Sequence, residues 1–324
     1  MNKVIISKEV DPAYNLALEE ELLRNLKDNE NILYLWQNDR TVVIGRNQNP
    51  YSECNLDYMK ENNITLVRRI SGGGTVFHDL GNLNFTFLTK EVDVNLEKQL
   101  KVIIDGIKRL GLVAEVSGRN DLLIDNKKFS GHAFYSEDGN YFHHGTIMID
   151  INLNELSKAL NPSKLKLQSK GIKSVRSRVI NLKDLDDTID SNSVKEALIN
   201  GFLNVYGEVS NIKEYSKEEY IPSHFQKYND RKWNFGESLN YNITLERKLS
   251  IGNVEINLDI VNGIIKDCKI FTDSLMLVDL NKIQECLKGI EFNEEVVIEI
   301  IEGYMWIYNS YIQITSINEF NFII

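Results

Sequence analysis

The stretch Arg68-Arg69-Ile70-Ser71-Gly72-Gly73-Gly74-Thr75-Val76-Phe77-His78-Asp79-Leu80-Gly81 decides how this sequence is interpreted. Three consecutive glycines are unfavourable inside a regular element, because glycine loses more backbone freedom on folding than any other residue. A bare backbone is useful where main-chain N–H groups approach an anion, and the two arginines place positive charge beside it. Strand-like residues 75–77 and 83–88 follow. We interpret the stretch as a phosphate-binding loop; an ordinary glycine-rich hairpin is the alternative.

The loop differs from the two common nucleotide-binding motifs. It is not closed by Gly-Lys-Ser/Thr, as a P-loop is, and no G-x-G-x-x-G opens a helix after it. These differences disfavour a P-loop NTPase, a kinase or a dinucleotide-binding enzyme. They favour an ATP site of another kind.

The composition is that of an ordinary globular protein with two domains. The 324 residues exceed the usual domain length of roughly 100–200 residues, so we expect one large domain and one small one. Hydrophobic residues make up 42% and charged residues 26%, and no apolar run approaches the ~20 residues of a membrane span. The N-terminal residues are too soon interrupted by charge to form a signal peptide. The sequence therefore predicts a cytoplasmic location without membrane association.

The cysteines and the net charge further narrow the class of protein and its possible partners. Cys54, Cys268 and Cys286 have no metal-type spacing, so we expect reduced thiols that serve packing. The formal net charge of -10 argues against nucleic acid as the main partner. A basic stretch runs against this trend and is suited to an acidic partner or to phosphates; a solvated basic face is the alternative. Its members are Lys164, Lys166, Lys170, Lys173, Arg176 and Arg178.

Local patterns indicate an alternation of helices and strands. Asp11-Pro12 predicts the start of a helix over residues 13–26, in which Glu19, Glu20 and Glu21 face outward or line a site. Residues 32–36 and 41–45 read as a strand pair. Residues 122–124 and 127–129 read as a hairpin, and Asn262-Gly263 predicts another. Strand-like runs dominate after residue 240, where we place the domain boundary.

A second group of polar residues complements the glycine-rich loop. Asp121, beside a glycine and an amide, is suited to hold a magnesium ion bridged to phosphate oxygens. Lys127 and Lys128 precede Phe129-Ser130-Gly131 on the predicted hairpin. A lysine on a rigid strand can place its ammonium on a carboxylate and an α-phosphate together. Taken singly, such lysines are more often surface residues.

Several segments, in order along the chain, resemble lipoate–protein ligases. They are residues 42–50, Arg68 to Phe87, Gly118 to Gly131, His143-His144-Gly145 and Lys170 to Arg178, and in the small domain Trp233 to Gly236 and Phe271 to Leu275. The resemblance implies an α/β (α+β) fold: a biotin/lipoate ligase-like catalytic domain over residues 1–240, with a mixed sheet flanked by helices. It also implies a small α+β accessory domain over residues 241–324.

The resemblance further implies two-step chemistry with ATP and Mg²⁺. The carboxylate of lipoate attacks the α-phosphate of ATP to give lipoyl-AMP and pyrophosphate. A lysine ε-amine of a lipoyl carrier domain, in a 2-oxoacid dehydrogenase E2 subunit or a glycine-cleavage H protein, then attacks the mixed anhydride and releases AMP.

The site residues follow from the family's pattern. Arg69 and Lys128 are the expected catalytic cations, with Lys128 rather than Lys127 matching the family's lysine, and Asp121 is the expected metal ligand. The expected nucleotide-binding residues are Arg69, Gly74, Thr75, Val76, Phe77, Asn82, Asn84 and Lys128. The expected lipoate-binding residues line an apolar tunnel and are Leu16, Glu20, Trp36, Ser71, His78, His144 and Lys128.

Two alternative functions stay open at this point. An octanoyl or lipoyl transferase of the same fold would pass the acyl group through a cysteine thioester, which needs a positioned thiolate. None of the three cysteines lies in the site-forming segments. A non-catalytic lipoate-binding relative would retain the fold, yet we would expect it to have lost the ATP-binding residues, which are present here.

Overall fold

The first helix begins where the sequence predicts it. The Asp11 side chain accepts hydrogen bonds from the backbone N–H groups of Ala13 and Tyr14, and Pro12 occupies the first turn. This N-cap satisfies donors that would otherwise have no partner at the helix end. The resulting helix, α1 (Pro12–Arg24), is almost entirely buried.

A computed structural model describes residues 1–117, 121–161, 179–236, 241–249, 252–276 and 279–304. The other helices are α2 (Pro50–Glu53), α3 (Leu56–Glu61), α4 (Leu96–Arg109), α5 (Leu153–Ala159), α6 (Ser191–Tyr206), α7 (Phe225–Asn229), α8 (Arg231–Phe235), α9 (Leu280–Leu287) and α10 (294–304). The strands are β1 (Asn2–Ser7), β2 (Asn31–Trp36), β3 (Thr41–Ile44), β4 (Thr65–Arg68), β5 (Val76–His78), β6 (Asn82–Lys90), β7 (Glu115–Ser117), β8 (Asp121–Ile124), β9 (Lys127–Glu137), β10 (Asn140–Met148), β11 (Val209–Tyr215), β12 (Ile243–Leu249), β13 (Gly252–Val261) and β14 (Ile264–Thr272).

An eight-stranded mixed sheet forms the centre of the first unit. Its strand order is β11-β1-β2-β6-β10-β9-β8-β7. β1 pairs parallel with β11 and with β2. The other neighbouring pairs in this order, from β2–β6 to β8–β7, are antiparallel. On one face, α4 and α6 cover a core that includes Leu33, Phe85, Val102, Ile107 and Phe202. The predicted fold class, a mixed sheet flanked by helices, is confirmed.

The predicted pairing of residues 32–36 with residues 41–45 is wrong. β2 pairs with β6 in the large sheet, where Trp36 lies opposite Asn84. β3 instead pairs with β4 and β5 in a separate three-stranded sheet. Arg40 has a φ of +39° in the connection, and both strands are buried. Because both strands are buried, each has other neighbouring strands to pair with, so the two need not pair with each other in a hairpin.

Both predicted hairpins are present. Asp125 and Asn126 connect β8 to β9 with φ values of 50° and 59°. Asn262 and Gly263 connect β13 to β14 with φ values of 52° and 79°. Two successive positive φ values match the twist of the flanking strands.

A chain of neutral hydrogen-bonding groups lies on the α4 side of the large sheet. His143 Nδ1 is 3.0 Å from Gln99 Oε1, His143 Nε2 is 2.6 Å from His132 Nδ1, and His132 Nε2 is 3.0 Å from Ser130 Oγ. The carbonyl oxygen of Gln99 only accepts, so each ring donates toward it and Ser130 donates to His132. Burial lowers the pKa of His132 to about 3 and that of His143 well below its ordinary value.

The second unit comprises residues Asn47–Asn49 and 237 onward. Its antiparallel sheet, in the order β12-β13-β14, packs with α9 and α10 around Val254, Ile256, Ile283 and Ile301. Within this unit Thr272 N–H donates to the Asn47 carbonyl (2.8 Å).

Residues Trp233–Gly236, which the resemblance assigned to the small domain, lie in the first unit. The Arg68 guanidinium holds them there, since it donates to the carbonyls of Trp233 and Asn234 at 3.0 Å each.

Candidate functional site

The glycine-rich loop folds around the Arg69 guanidinium. Arg69 is 5% exposed; its Nη2 donates to the carbonyls of Gly72 (2.6 Å) and Gly74 (2.8 Å), and its Nε donates to Ser71 Oγ (2.9 Å). Gly73 takes a φ of 88°, which side-chain-bearing residues rarely adopt. Burial lowers the pKa of Arg69 to about 10, so it stays charged at neutral pH. The predicted cation is thus present and shapes the loop.

A hydrogen-bonded chain connects this loop to four other elements. Ser71 Oγ is 2.8 Å from His144 Nε2 on β10, and His144 Nδ1 is 2.9 Å from Glu19 Oε1 on α1. The same Glu19 oxygen accepts from Thr86 Oγ1 on β6 (2.6 Å). Thr86 Oγ1 in turn accepts from Trp36 Nε1 on β2 (3.0 Å). Three predicted lipoate-binding residues are therefore joined in one network. We call these five side chains the Glu19 network.

Donor and acceptor chemistry fixes the direction of these bonds. A carboxylate only accepts, so His144 Nδ1 and the Thr86 hydroxyl both donate to Glu19. The other His144 nitrogen is then free to accept the Ser71 hydroxyl proton, while Ser71 accepts from Arg69.

His78 and the two predicted asparagines lie close to the same strands. Asn38 Nδ2 is 3.3 Å from His78 Nδ1, and the ring of Trp36 meets the His78 ring edge-on. Burial, with a smaller effect from the charge of Arg69, lowers the pKa of His78 to about 3. Asn82, Asn84 and Thr86 are every second residue of β6, so their side chains lie on one face of the strand. The Asn82 amide donates to Asn84 (3.0 Å).

Two buried donors in this region have no partner among the described residues: His78 Nε2 and Asn84 Nδ2. Their residues are 2% and 1% exposed. Buried polar groups are nearly always hydrogen-bonded in folded proteins. Unsatisfied donors of this kind are suited to a polar or anionic ligand.

A β-bulge places Lys128 against Asp121. The pairing of β8 with β9 shifts between Leu122 and Leu123, and Phe129 joins the α4-side core. Lys128 and Gly131 therefore share the opposite face although they are three residues apart. Lys128 Nζ lies 2.6 Å from Asp121 Oδ1, and a methyl group added to Gly131 would come within 2.8 Å of Nζ. The absent side chain of Gly131 gives the ammonium its room.

Glu20 is not brought to the Glu19 network. It accepts from Lys227 (2.8 Å) and Tyr228 (2.7 Å) of α7 and from Arg24 (2.8 Å). Burial raises the pKa of this carboxyl, but the bonds from Lys227 and Tyr228 hold it below its ordinary value. Sequence reasoning assigned Glu20 to the lipoate site, left Glu19 open between an outward position and a site, and missed Thr86. The available signal was helical spacing, since Glu19 lies three residues after Leu16, but Glu20 at four residues fits a helix face equally well.

The remaining predicted residues have mixed surroundings. Leu16 is buried on α1. Gly74 has open space where a side chain would stand, and Thr75 and Val76 are partly exposed beside it. The Phe77 side chain packs into the core of the small sheet, so only its backbone can face a ligand. Gly118 to Asn120 and the basic stretch 164–178 lie outside the described residues.

The cysteines do not resemble nucleophiles. Burial raises the pKa of Cys54 and of Cys268 to about 12. Cys286 is exposed in the second unit and bonds to Tyr304 (2.8 Å). A thioester mechanism needs a thiolate with a lowered pKa, which the buried Cys54 and Cys268 do not supply, and Cys286 lies outside the first unit.

Comparison with known proteins gives the family. The lipoyl protein ligase A/B catalytic domain matches residues 11–203, and the bacterial lipoate protein ligase C-terminus matches residues 238–323. The chain is 39% identical over 300 residues to lipoate-protein ligase A of Blochmanniella floridana, with 90% of this chain and 89% of that one covered. It is 37% identical over 302 residues to lipoate-protein ligase LplJ of Bacillus subtilis (strain 168), with 90% and 91% covered.

Solved structures agree with the sequence comparison. P. falciparum LipL1 in complex with lipoate aligns with a TM-score of 0.80 at 29% identity, covering 96% of this chain and 99% of that one. Lipoate-protein ligase A bound with ATP aligns with a TM-score of 0.63 at 28% identity, covering 72% and 98%. A bipartite lipoate protein ligase of Thermoplasma acidophilum, described with its E2 lipoyl domain, aligns with a TM-score of 0.64 at 30% identity, covering 75% and 98%. Sequence and fold together assign this chain to the lipoate–protein ligase family of enzymes.

Proposed function

We propose that this chain carries out the ATP-dependent ligase reaction at the site formed by the glycine-rich loop, the Glu19 network and Lys128. A lipoate carboxylate oxygen attacks the α-phosphorus of ATP, the bond to the β-phosphate breaks, and pyrophosphate leaves. The amine of a carrier lysine then attacks the acyl carbon of lipoyl-AMP; an amide forms, AMP leaves, and the amine loses a proton.

One observation carries this proposal: the segments proposed to bind the two anions contain two cations, the buried Arg69 in the glycine-rich loop and the partly exposed Lys128 beside Asp121. Lys128 is 37% exposed at its side chain, so its ammonium can exchange Asp121 for a ligand. In this proposal Lys128 contacts the carboxylate and the α-phosphate. Arg69 acts on the nucleotide through the loop that it holds. Preorganised donors of this type stabilise charge that develops in the transition state.

The nucleotide is proposed to lie along the loop residues Gly74 to Phe77, with the Asn82 and Asn84 amides as contacts to the base or ribose. The unpartnered Asn84 Nδ2 supports this role. The ATP-bound relative supports the use of ATP.

The donor chemistry near Asp121 fits a magnesium ion that arrives with ATP. The described residues hold no group of three or more metal-binding side chains, whereas Mg²⁺ bound with a nucleotide commonly uses one or two carboxylates and the phosphates. Asp121 would supply that carboxylate. The ion would neutralise phosphate charge during attack.

The lipoyl chain is proposed to occupy an apolar tunnel between α1 and the large sheet. Leu16, Trp36, Ser71, His78 and His144 are its proposed lining, with Lys128 at the carboxylate end. The lipoate complex of the P. falciparum relative supports an acyl site in this fold. Burial of each methylene would contribute about 0.8 kcal/mol.

The proposed protein partners are lipoyl carrier domains of 2-oxoacid dehydrogenase E2 subunits and of the glycine-cleavage H protein. The relative described with its E2 lipoyl domain supports this class. Neither a nucleic acid nor a membrane is expected as partner. No helix in the described part of the chain is long and apolar enough to cross a membrane. A cytoplasmic location stays a prediction.

We also propose a division of labour between the units. The first unit contains every described residue of the site, so residues up to about 240 would form the catalytic domain, and the rest the accessory domain.

The experiment that tests this function measures lipoate-dependent pyrophosphate release from ATP, with and without an apo lipoyl carrier domain. Release without carrier, followed by carrier lipoylation when it is added, is expected of an adenylating ligase. Carrier modification only from an acyl-carrier thioester, lost after thiol alkylation, would identify a transferase instead. Lipoate binding without either reaction would identify a non-catalytic relative.

A further inference from the structure

Two of the proposed acyl-pocket residues are oriented by the same carboxylate oxygen. Glu19 Oε1 accepts from His144 Nδ1 at 2.9 Å and from Thr86 Oγ1 at 2.6 Å. Glu19 is 1% exposed, and Thr86 is fully buried. Trp36 is reached through Thr86 at 3.0 Å. Two strands and a helix therefore converge on one atom.

We propose that Glu19 is a positioning residue of the acyl pocket, which sets the tautomer of His144 and, through Thr86, the orientation of the Trp36 indole. This inference rests on the proposed function, because it assumes that Trp36 and His144 line the lipoate site. Glu19 itself need not touch lipoate. It acts through the groups that do.

The effect of Glu19 on His144 depends on which nitrogen of the His144 ring carries the proton. Glu19 requires the proton on Nδ1, so Nε2 can accept the Ser71 hydroxyl at 2.8 Å. Ser71 is fully buried and also accepts from Arg69. Without Glu19, the ring can turn or take the other tautomer, and Ser71 loses its acceptor. Glu19 therefore fixes the orientation of the His144 ring toward Ser71.

The connection from Glu19 through Thr86 fixes the Trp36 indole, which would form a large flat wall of the acyl pocket. The indole stacks on Tyr34 with ring centroids 6.0 Å apart and an interplanar angle of 16°. Stacking sets the plane of the ring but not the direction of its N–H group. The bond from Nε1 to Thr86 sets that direction, and the bond from Thr86 to Glu19 fixes the hydroxyl as acceptor toward Trp36.

Ser71, His144 and Glu19 also have the spacing of a nucleophile, a base and an orienting acid. Two facts favour positioning over nucleophilic attack. Ser71 already accepts from a guanidinium, which withdraws electron density from its oxygen, and its side chain is fully buried. An acyl ester on Ser71 is therefore not expected.

The test compares four variants of the full chain. Glu19→Ala removes the acceptor, and Glu19→Gln restores an acceptor oxygen without the charge. Thr86→Val interrupts only the connection from Glu19 to Trp36. This variant remains informative if Glu19→Ala fails to fold. Glu21→Ala is the matched control, because Glu21 is also a buried glutamate of α1 but bonds to Tyr220 and Ser223 outside the network.

The first readout is the lipoate KM in the pyrophosphate-release assay. Losing a buried acceptor corresponds to roughly a ten- to hundredfold rise in lipoate KM for Glu19→Ala. The ATP KM and kcat should change by less than about threefold, and Glu19→Gln should recover most of the loss. A smaller rise is expected for Thr86→Val, and no change for Glu21→Ala.

The second readout does not depend on catalysis. In protein labelled with 5-fluorotryptophan, the chain's three tryptophans give three ¹⁹F signals, and Trp36→Phe assigns the one from Trp36. That signal should shift or broaden in Glu19→Ala and Thr86→Val, and stay in place in Glu19→Gln and Glu21→Ala.

The outcomes separate this inference from the proposed function. An unchanged Trp36 signal together with an unchanged lipoate KM in Glu19→Ala would overturn the inference. So would a lipoyl ester on Ser71, detected by mass spectrometry of the wild-type chain during turnover. If the wild type releases no pyrophosphate, the proposed function fails, while the fluorine spectra still decide whether Glu19 orients Trp36.

Discussion

The two faces of the large sheet differ most clearly at β10, where neighbouring histidines point in opposite directions. His144 faces α1 and bonds to a carboxylate and to a serine held by Arg69. His143 faces α4 and bonds to an amide and to another histidine, among the rings of Phe85, Phe87 and Phe134. One network contains charged groups at the proposed site, and the other is neutral and enclosed.

This difference shows that residue type does not separate a functional histidine from a structural one. Alternation along a strand sends adjacent side chains to opposite faces, and the covering helix then decides their chemistry. α1 brings Glu19 to one face, and α4 brings Gln99 to the other. We expect changes on the α1 side to affect catalysis and changes on the α4 side to affect stability.

The largest effect should come from Lys128→Ala on the catalytic side. Removing one charge-stabilising donor typically lowers the rate by about 10²–10³, and we expect that loss in lipoate-dependent pyrophosphate release. The thermal midpoint should hardly change, because the Lys128–Asp121 pair is partly exposed. Lys127→Ala, an exposed neighbour, is the control. Equal losses in both variants would contradict a specific role for Lys128.

The next effect tests the α4 side through His143→Leu. His132 and Gln99 lose their partners, so the free energy of unfolding should fall by about 2–3 kcal/mol. Urea denaturation measures this change. The lipoate KM, assayed well below the transition, should stay within about twofold. The matched variant His144→Leu should instead raise the lipoate KM, and equal lipoate KM values in the two variants would remove the distinction between the faces.

A smaller effect is expected from Gly131→Ala. The new methyl group would come within 2.8 Å of Lys128 Nζ, and the flexible lysine would move away rather than unfold the strand. We expect about a tenfold loss in kcat/KM, equivalent to roughly 1.4 kcal/mol. In a Lys128→Ala background the same substitution should have no further effect. A full additional tenfold loss there would show that Gly131 acts independently of Lys128.

The last expected effect is the dependence of stability on pH. The pKa of His132 is about 3 in the folded chain, and that of His143 is also well below 6.5. As pH falls below 6.5, the unfolded chain binds protons that these two rings and the buried His78 ring do not bind, so stability present above that pH is lost. Denaturation at about pH 7.5 and 5.5 should show this decrease, and His143→Leu should reduce it. A flat profile would mean that these buried rings accept protons while the chain is folded.

Much of the fold was predictable because local chemistry determined it. The Asp11 N-cap, the two positive-φ turns and the glycine-rich loop each depend on residues adjacent in sequence. The pairing of β2 with β3 was predicted wrongly because both strands are buried. An apolar strand identifies its burial but not its partner.

Some contacts among the predicted residues of the candidate site are present, but their geometry could not be predicted. Arg69, Ser71 and His144 do meet, and Lys128 does meet Asp121. The choice of Glu20 over Glu19 could not be made from spacing, since both fit a helix face near Leu16. The bulge at Phe129 was equally hidden, because it depends on the pairing register of two strands.

The three consecutive glutamates of α1 constrain its length as well as its composition. Glu19 faces the network, Glu20 faces α7, and Glu21 bonds to Tyr220 and Ser223. Successive residues differ by about 100° around a helix. A single inserted residue between Pro12 and Glu19 would therefore rotate all three carboxylates away from their partners at once. In directed evolution of this chain, α1 would therefore accept hardly any insertion or deletion.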